Sequence, residues 1–244
     1  MKTFPKILLI TILSCLLCLI ACENDSSFEQ SDNSGSSVVI EKLSRVATSD
    51  DINLWLNTIT SNETIVFEEE KKTTPLVPVH TVDYVDISRY TGRWYGIANF
   101  PRPFNEGCSC TVANYGIIDV GLSVVNKCIR NDGNDTGGAA GKAIVVDTLS
   151  NAKLKVNFPP SPIYGDYWII DLVNNGFHKP YSFSVVSDPT RNSLFILSRT
   201  PRITTVRQKN ELLKIFRNLI LQGYDLKKLK IIPQENCNYS FFKG

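Results

Sequence analysis

The feature that most limits what this chain can become is a procession of eight short segments between Gly92 and Arg199. Each is rich in β-branched and aromatic residues, and each is closed by glycine, asparagine, aspartate or proline. The segments are GRWYGIANF (92–100), CTVANYGI (110–117), LSVVNKCI (122–129), GKAIVVDT (141–148), AKLKVNF (152–158), YGDYWIIDL (164–172), YSFSVVS (181–187) and SLFILSR (193–199). In AKLKVNF, Leu154, Val156 and Phe158 share one face while Lys153, Lys155 and Asn157 share the other. By the same period, Thr111, Ala113 and Tyr115 fall on one side of the second segment, with Cys110, Val112 and Asn114 on the opposite side. If Tyr115 points inward, Cys110 points outward. Eight strands with short connections predict an all-β, antiparallel up-and-down sheet, and closing it into a barrel removes the exposed edges of an open one.

The period changes after the eighth segment. Over 204–224, Val206, Leu212, Leu213, Phe216, Leu219 and Ile220 recur at helical spacing and Gly223 supplies a stop, which predicts a C-terminal α-helix packed outside the barrel. KKLKIIPQ (227–234) reads as a short final strand, with Lys227, Lys228 and Lys230 on a solvated face. Upstream, SDDINLWLNTI has Ser49 or Asp50 as a helix N-cap before apolar residues at helical spacing, and TIVFEEE has the composition of a strand. Residues 38–80 are therefore an accessory segment of unknown structure, packed on the barrel or hung from it.

The N-terminus reads as an export signal. Lys2 and Lys6 precede an uncharged apolar run of fifteen residues, Ile7 to Ala21, shorter than the ~20 a spanning helix needs. The run ends Leu19-Ile20-Ala21-Cys22, which resembles the lipobox of bacterial lipoproteins. That resemblance implies a signal peptide over 1–21 and lipidation of Cys22. A diacylglyceryl group would sit on the thiol and a further acyl chain, such as palmitate, on the amine; several chains give stable anchoring where one does not. An ordinary secretory signal cut near Ala21, giving a secreted protein, is the alternative. Residues 23–37 are small and polar, so 22–37 reads as a lipidated flexible tether.

Export leaves Cys108, Cys110, Cys128 and Cys237 in an oxidising compartment, an even set that favours two disulfides. Zinc is the competing use, but Cys-x-Cys lacks knuckle spacing and only His80 and His178 are at hand. No metal site and no cofactor is expected. The 26 basic and 24 acidic residues leave a formal charge of +2 and no field to attract nucleic acid. No catalytic motif of the His-Glu-x-x-His, Gly-x-Ser-x-Gly or phosphate-loop type occurs, so no catalytic residues are assigned and no enzyme is expected. Gly137, Gly138 and Gly141 follow NDGNDT and read as turn chemistry. Asn62, Asn134 and Asn238 stand in Asn-x-Ser/Thr triplets, which matter only in a eukaryotic host.

RYTGRWYGIANF (89–100) and SDPTRNSLFILSRTP (187–201) together resemble the lipocalin signature. Gly92 and Trp94 match its Gly-x-Trp; Asp188, Pro189 and Arg199 match the turn and the arginine that ends the last barrel strand. The resemblance covers about 82–237 and places the barrel with its helix at 81–237 and a tail at 238–244. The wording YTGRWYGIANF, TVANYG, VVNK and ILSRTP is similar to the branch holding apolipoprotein D and the bacterial outer-membrane lipocalins. Residues 38–80 depart from that branch.

What the resemblance implies follows residue by residue. Arg199 would pack over Trp94 beside Gly92 and close the barrel, a cation–π contact of roughly 0.5–2 kcal/mol. Tyr90, Tyr115, Asn126, Phe158 and Phe195 would line the ligand-binding wall and mouth, Asn126 needing a partner for its amide. The alternative is that the aromatics simply fill the core. In relatives of that branch the cysteine before ANY bonds one in the tail, which implies Cys110–Cys237 with Cys108–Cys128 as the second pair; Cys110–Cys128 is the rival. The implied function is binding, storage or transport of a small hydrophobic ligand, such as a fatty acid or lysophospholipid, from an anchor facing the periplasm at the outer membrane. Two alternatives stay open: an enzyme using Cys128 on a lipid, and a plugged barrel contacting a partner through Val38–Glu70. Inner against outer membrane, ligand identity and oligomeric state are not legible.

Overall fold

Period-two alternation drives the chain into nine strands: β1 (Gly92–Asn99), β2 (Cys108–Ile118), β3 (Gly121–Arg130), β4 (Ala139–Val145), β5 (Lys153–Asn157), β6 (Gly165–Val173), β7 (Phe183–Ser187), β8 (Leu194–Ser198) and β9 (Lys230–Ile231). The computed structural model describes residues 47–70, 77–130 and 138–242. Each strand pairs antiparallel with the next from β2 to β8, β1 pairs with both β8 and β2 and so closes an eight-membered ring, and β9 lies against β1. Register fixes the inner face: Ala143 opposes Val156, Tyr115 opposes Val124, Leu154 opposes Tyr167 and Val186 opposes Phe195.

Two apolar clusters flank the wall. The inner one holds Trp94, Tyr115, Leu122, Val124, Leu154 and Ile169. The outer one joins outward wall residues such as Ile97, Val185 and Ile196 to a helix, α3 (Val206–Leu221), through Leu212, Ile215, Phe216 and Leu219. Helix α3 starts where Thr205 accepts from the Gln208 backbone and Gln208 answers, a capping box. It ends at Gly223, whose φ of +82° is cheap for glycine alone. An earlier helix, α1 (Ser49–Glu70), adds Ile52, Leu56 and Ile59 to the same outer cluster, with Lys209 of α3 standing 4.5 Å from the Trp55 ring centroid. Ala47 bridges to Ile203.

Three readings need correction. TIVFEEE is not a strand, because α1 runs on through it to Glu70; Asp50 and Asp51 in its first turn suit the helix dipole. The final strand over 227–234 contracts to Lys230–Ile231, since Leu226–Lys228 form a 3-10 turn capped by Asp225. Gly141 is not turn chemistry: it lies inside β4, where a Cβ would come 2.2 Å from the Asn157 carbonyl oxygen and 2.7 Å from Phe158. Glycine there lets β5 approach closely. The signal, Cys22, the tether, Gly137 and Asn134 lie outside the described residues.

Candidate functional site

A short helix, α2 (Ile87–Tyr90), N-capped by the Asp86 carboxylate, delivers Tyr90 to the end of the barrel where β1 begins. There the Trp94 indole donates to the Tyr90 carbonyl at 2.8 Å, and the Arg199 guanidinium lies 3.9 Å from the Trp94 ring centroid. Arg199 also donates to the carbonyls of Arg89 (2.8 Å), Arg93 (2.9 Å), Tyr90 (3.1 Å) and Tyr181 (3.1 Å), so one fork joins α2, β1 and the segment that leads into β7. Gly92 has φ +88°, and a Cβ there would meet Arg199 Nη1 at 3.4 Å. Burial lowers the guanidinium's pKa to about 10. These residues form a sealed floor.

On that floor stands a chain of hydroxyls. Tyr90 shares hydrogen bonds with Ser184 (2.9 Å) and Tyr167 (2.8 Å), and Tyr167 shares one with Tyr115 (2.9 Å). Their rings contact edge to face, with centroids 5.5 Å apart for Tyr90 and Tyr115 and 6.3 Å for Tyr115 and Tyr167. Burial pushes the Tyr90 phenol up to about 12 and raises those of Tyr115 and Tyr167. All three are neutral donors at physiological pH.

From floor to mouth the inner face grows wetter. Leu122, Val124, Ala143, Leu154 and Ile169 are buried; Asn126, Val156, Phe158, Tyr167 and Phe195, further along the same faces, are half-buried; Ala139 and Gly165 at the rim are exposed, while Asn99 opposite Phe195 and Cys128 beyond Asn126 stay buried on the side of the wall held by β1 to β3. Phe104, from the loop between β1 and β2, stacks on Phe195 at 6.4 Å and is itself largely exposed. A barrel packed solid along its axis would bury the upper inward positions as fully as the lower ones. The geometry is that of a cup.

Of the residues implied as ligand-lining, the structure brings Asn126, Phe158 and Phe195 to the upper wall. Tyr90 is carried to the floor by α2, which folds back under the ring, and Tyr115 of β2 stands buried beside it at the base of the inner face. Three residues were missed. Tyr167 and Ser184 belong to the hydroxyl chain, and Asn99 reaches the inner face opposite Phe195 because β1 bulges between Gly96 and Ala98, resetting its alternation. The pairing of AKLKVNF with YGDYWIIDL carried the signal for Tyr167, obscured by Trp168 beside it.

The Sγ atoms join Cys110 to Cys237 and Cys108 to Cys128. The first bond straps the tail to β2 outside the wall. The second runs diagonally between β2 and β3 near the mouth and leaves Cys128 no free thiol. A depression of about 520 Å³ along Val206, Asn210, Leu213 and Arg217 of α3 lies outside the ring. Among the described residues, no helix is long and apolar enough to cross a membrane.

Comparison with known proteins places this geometry. Residues 85–234 match the model of the lipocalin-like domain. The chain is 35% identical over 162 residues to the outer membrane lipoprotein Blc of Escherichia coli K12, covering 66% of this chain and 86% of that one. It is 32% identical over 167 residues to temperature-induced lipocalin-1 of Arabidopsis thaliana, covering 65% and 84%. Against apolipoprotein D of Macaca fascicularis it is 30% identical over 159 residues, covering 62% and 78%. Among solved structures, insecticyanin of the tobacco hornworm Manduca sexta superposes with a TM-score of 0.51 at 18% identity over 65% of this chain and 85% of that one, a likeness of fold.

Proposed function

Because the chain belongs to the lipocalin family, we propose that it binds a small hydrophobic molecule, such as a fatty acid or lysophospholipid, in the open half of its barrel and stores or carries it at the cell envelope. The observation that carries this reading is the gradient of exposure along the inner face, from a floor sealed by Trp94 and Arg199 to half-buried Phe158 and Phe195 and an exposed rim. Apolar walls supply the affinity: withdrawing ~300 Å² of acyl chain from water gains roughly 7–8 kcal/mol before the costs of binding are subtracted. Tyr115, Asn126, Phe158 and Phe195 would line that space above Tyr90. No covalent step is needed, and the alternative that Cys128 serves as a nucleophile loses its thiol to the bond with Cys108.

Residues 1–21 would direct export, Cys22 would carry the lipid anchor, 22–37 would form the tether, and the barrel of 81–237 would face the periplasm at the outer membrane. The names of the bacterial relatives, outer membrane lipoproteins of E. coli and Vibrio cholerae, support that placement. Native mass spectrometry of the exported protein tests the carrier reading: co-purified lipid of acyl-chain mass is expected, and a protein that neither carries nor takes up any lipid refutes it. Radiolabelled palmitate should enter the protein in a bacterial host and fail to enter Cys22→Ser; equal labelling refutes the anchor.

A further inference from the structure

The floor of an oily cup is a costly place for a row of hydroxyls, and their proton count does not close. Ser184, Tyr90, Tyr167 and Tyr115 bring four O–H donors, while three hydrogen bonds link them in line. Whichever way the donors point, one proton is left over. Among the described residues these four hydroxyls make no other hydrogen bond. Ser184 and Tyr90 are fully buried and Tyr115, at the other end of the line, is buried too, while Tyr167 between Tyr90 and Tyr115 is half-buried on the inner face. Run from Ser184 toward Tyr115, the line puts its spare donor on Tyr115 beside half-buried Tyr167, where an apolar guest would leave it unsatisfied.

We propose that this line of hydroxyls is an acceptor-binding subsite, so that an amphiphile enters the cup head first and its oxygen acceptor, a carboxylate in the simplest case, takes the spare proton of Tyr115 or Tyr167. The inference rests on the carrier reading and specifies the guest's chemistry: an oxygen acceptor at the end of an aliphatic body whose tail then runs up past Val156, Phe158 and Phe195. The Arg199 guanidinium below the floor favours negative charge there; its field opposes the effect of burial on the phenols of Tyr90 and Tyr115. A tail-first guest would press its terminal methyl against the hydroxyls and leave its acceptor in the wet mouth.

Orientation is read with a chain in which Trp94 is the only tryptophan, Trp55→Phe/Trp168→Phe, since the sequence holds three. 2-Bromododecanoic and 12-bromododecanoic acids place a heavy-atom quencher at head or tail. Stronger quenching of Trp94 by the 2-bromo acid is expected; equal or stronger quenching by the 12-bromo acid overturns the proposal. In parallel, cis-parinaric acid and the oxygen-free diphenylhexatriene are titrated into the full chain and into Tyr115→Phe/Tyr167→Phe, which keeps both rings. The double variant should lose its preference for the acid, the ratio of its affinities for acid and diphenylhexatriene falling about ten- to a hundred-fold. If both probes weaken together or neither does, the subsite is refuted. Binding of diphenylhexatriene without the acid also refutes it while leaving the carrier reading standing, and binding of neither probe sinks the carrier reading itself.

Discussion

Replacing Arg199 by methionine removes one side chain and unties three segments at once. Its guanidinium satisfies the carbonyls of Arg89, Tyr90, Arg93 and Tyr181 and covers the Trp94 indole at 3.9 Å. The cation–π contact contributes about 1 kcal/mol. The site is half-buried, so water can reach some of the stranded carbonyls; counting two as lost at about 1–1.5 kcal/mol each gives a total of roughly 3–4 kcal/mol. For a domain of this size that corresponds to a fall in Tm of about 6–16 °C. Arg199→Lys keeps the charge but not the fork, and should lose about half as much. Thermal unfolding followed by circular dichroism measures both, with the near-ultraviolet band of Trp94 reporting the floor. A loss below about 1 kcal/mol for Arg199→Met would show that the floor is held by something else.

Three other expectations follow from the geometry. Opening Cys110–Cys237, which spans 127 residues of sequence, should cost about 5 kcal/mol by chain entropy against about 3 for Cys108–Cys128, which spans 20; urea midpoints of Cys110→Ser/Cys237→Ser and Cys108→Ser/Cys128→Ser decide it, and a larger loss in the second pair refutes the ordering. Tyr90 has its pKa raised above the unfolded value of 10.0 to about 12, so its contribution is complete below pH 10 and drains away as pH climbs through 12, with Tyr115 and Tyr167 acting in the same sense. The urea midpoint should fall over that window as phenolate absorbance rises, and Tyr90→Phe should flatten the fall; an unchanged slope counts against it. Gly141→Ala should destabilise by about 2–3 kcal/mol because the new methyl meets the Asn157 carbonyl, which backbone alone cannot yield to; a neutral result in urea unfolding refutes that contact.

The barrel was legible because its information is local. Period two in AKLKVNF sets an inner face within one strand, and Leu154 lies on the buried side expected of it. Trp94 and Arg199 were legible through a motif pair, since no local pattern says that residues so far apart in sequence will stack. What stayed hidden depends on events between strands. A bulge at Gly96 turned Asn99 inward against strict alternation. Tyr167 and Trp168 are neighbouring aromatics, one on each face of β6, so composition could not say which one enters the cup. Tyr90 becomes floor rather than mouth only when α2 folds beneath a closed ring. TIVFEEE kept its β-branched composition and still joined a helix, because α1 is held in place by its earlier turns, where Ile52, Leu56 and Ile59 meet the outer cluster.

That outer cluster has a consequence for how such a vessel evolves. With α1 and α3 buttressing part of the ring from behind, much of the wall's cohesion is vested in residues a guest never meets. Side chains near the rim are then released from structural duty and can be exchanged to suit new cargo, while the scaffold holds its shape from its back.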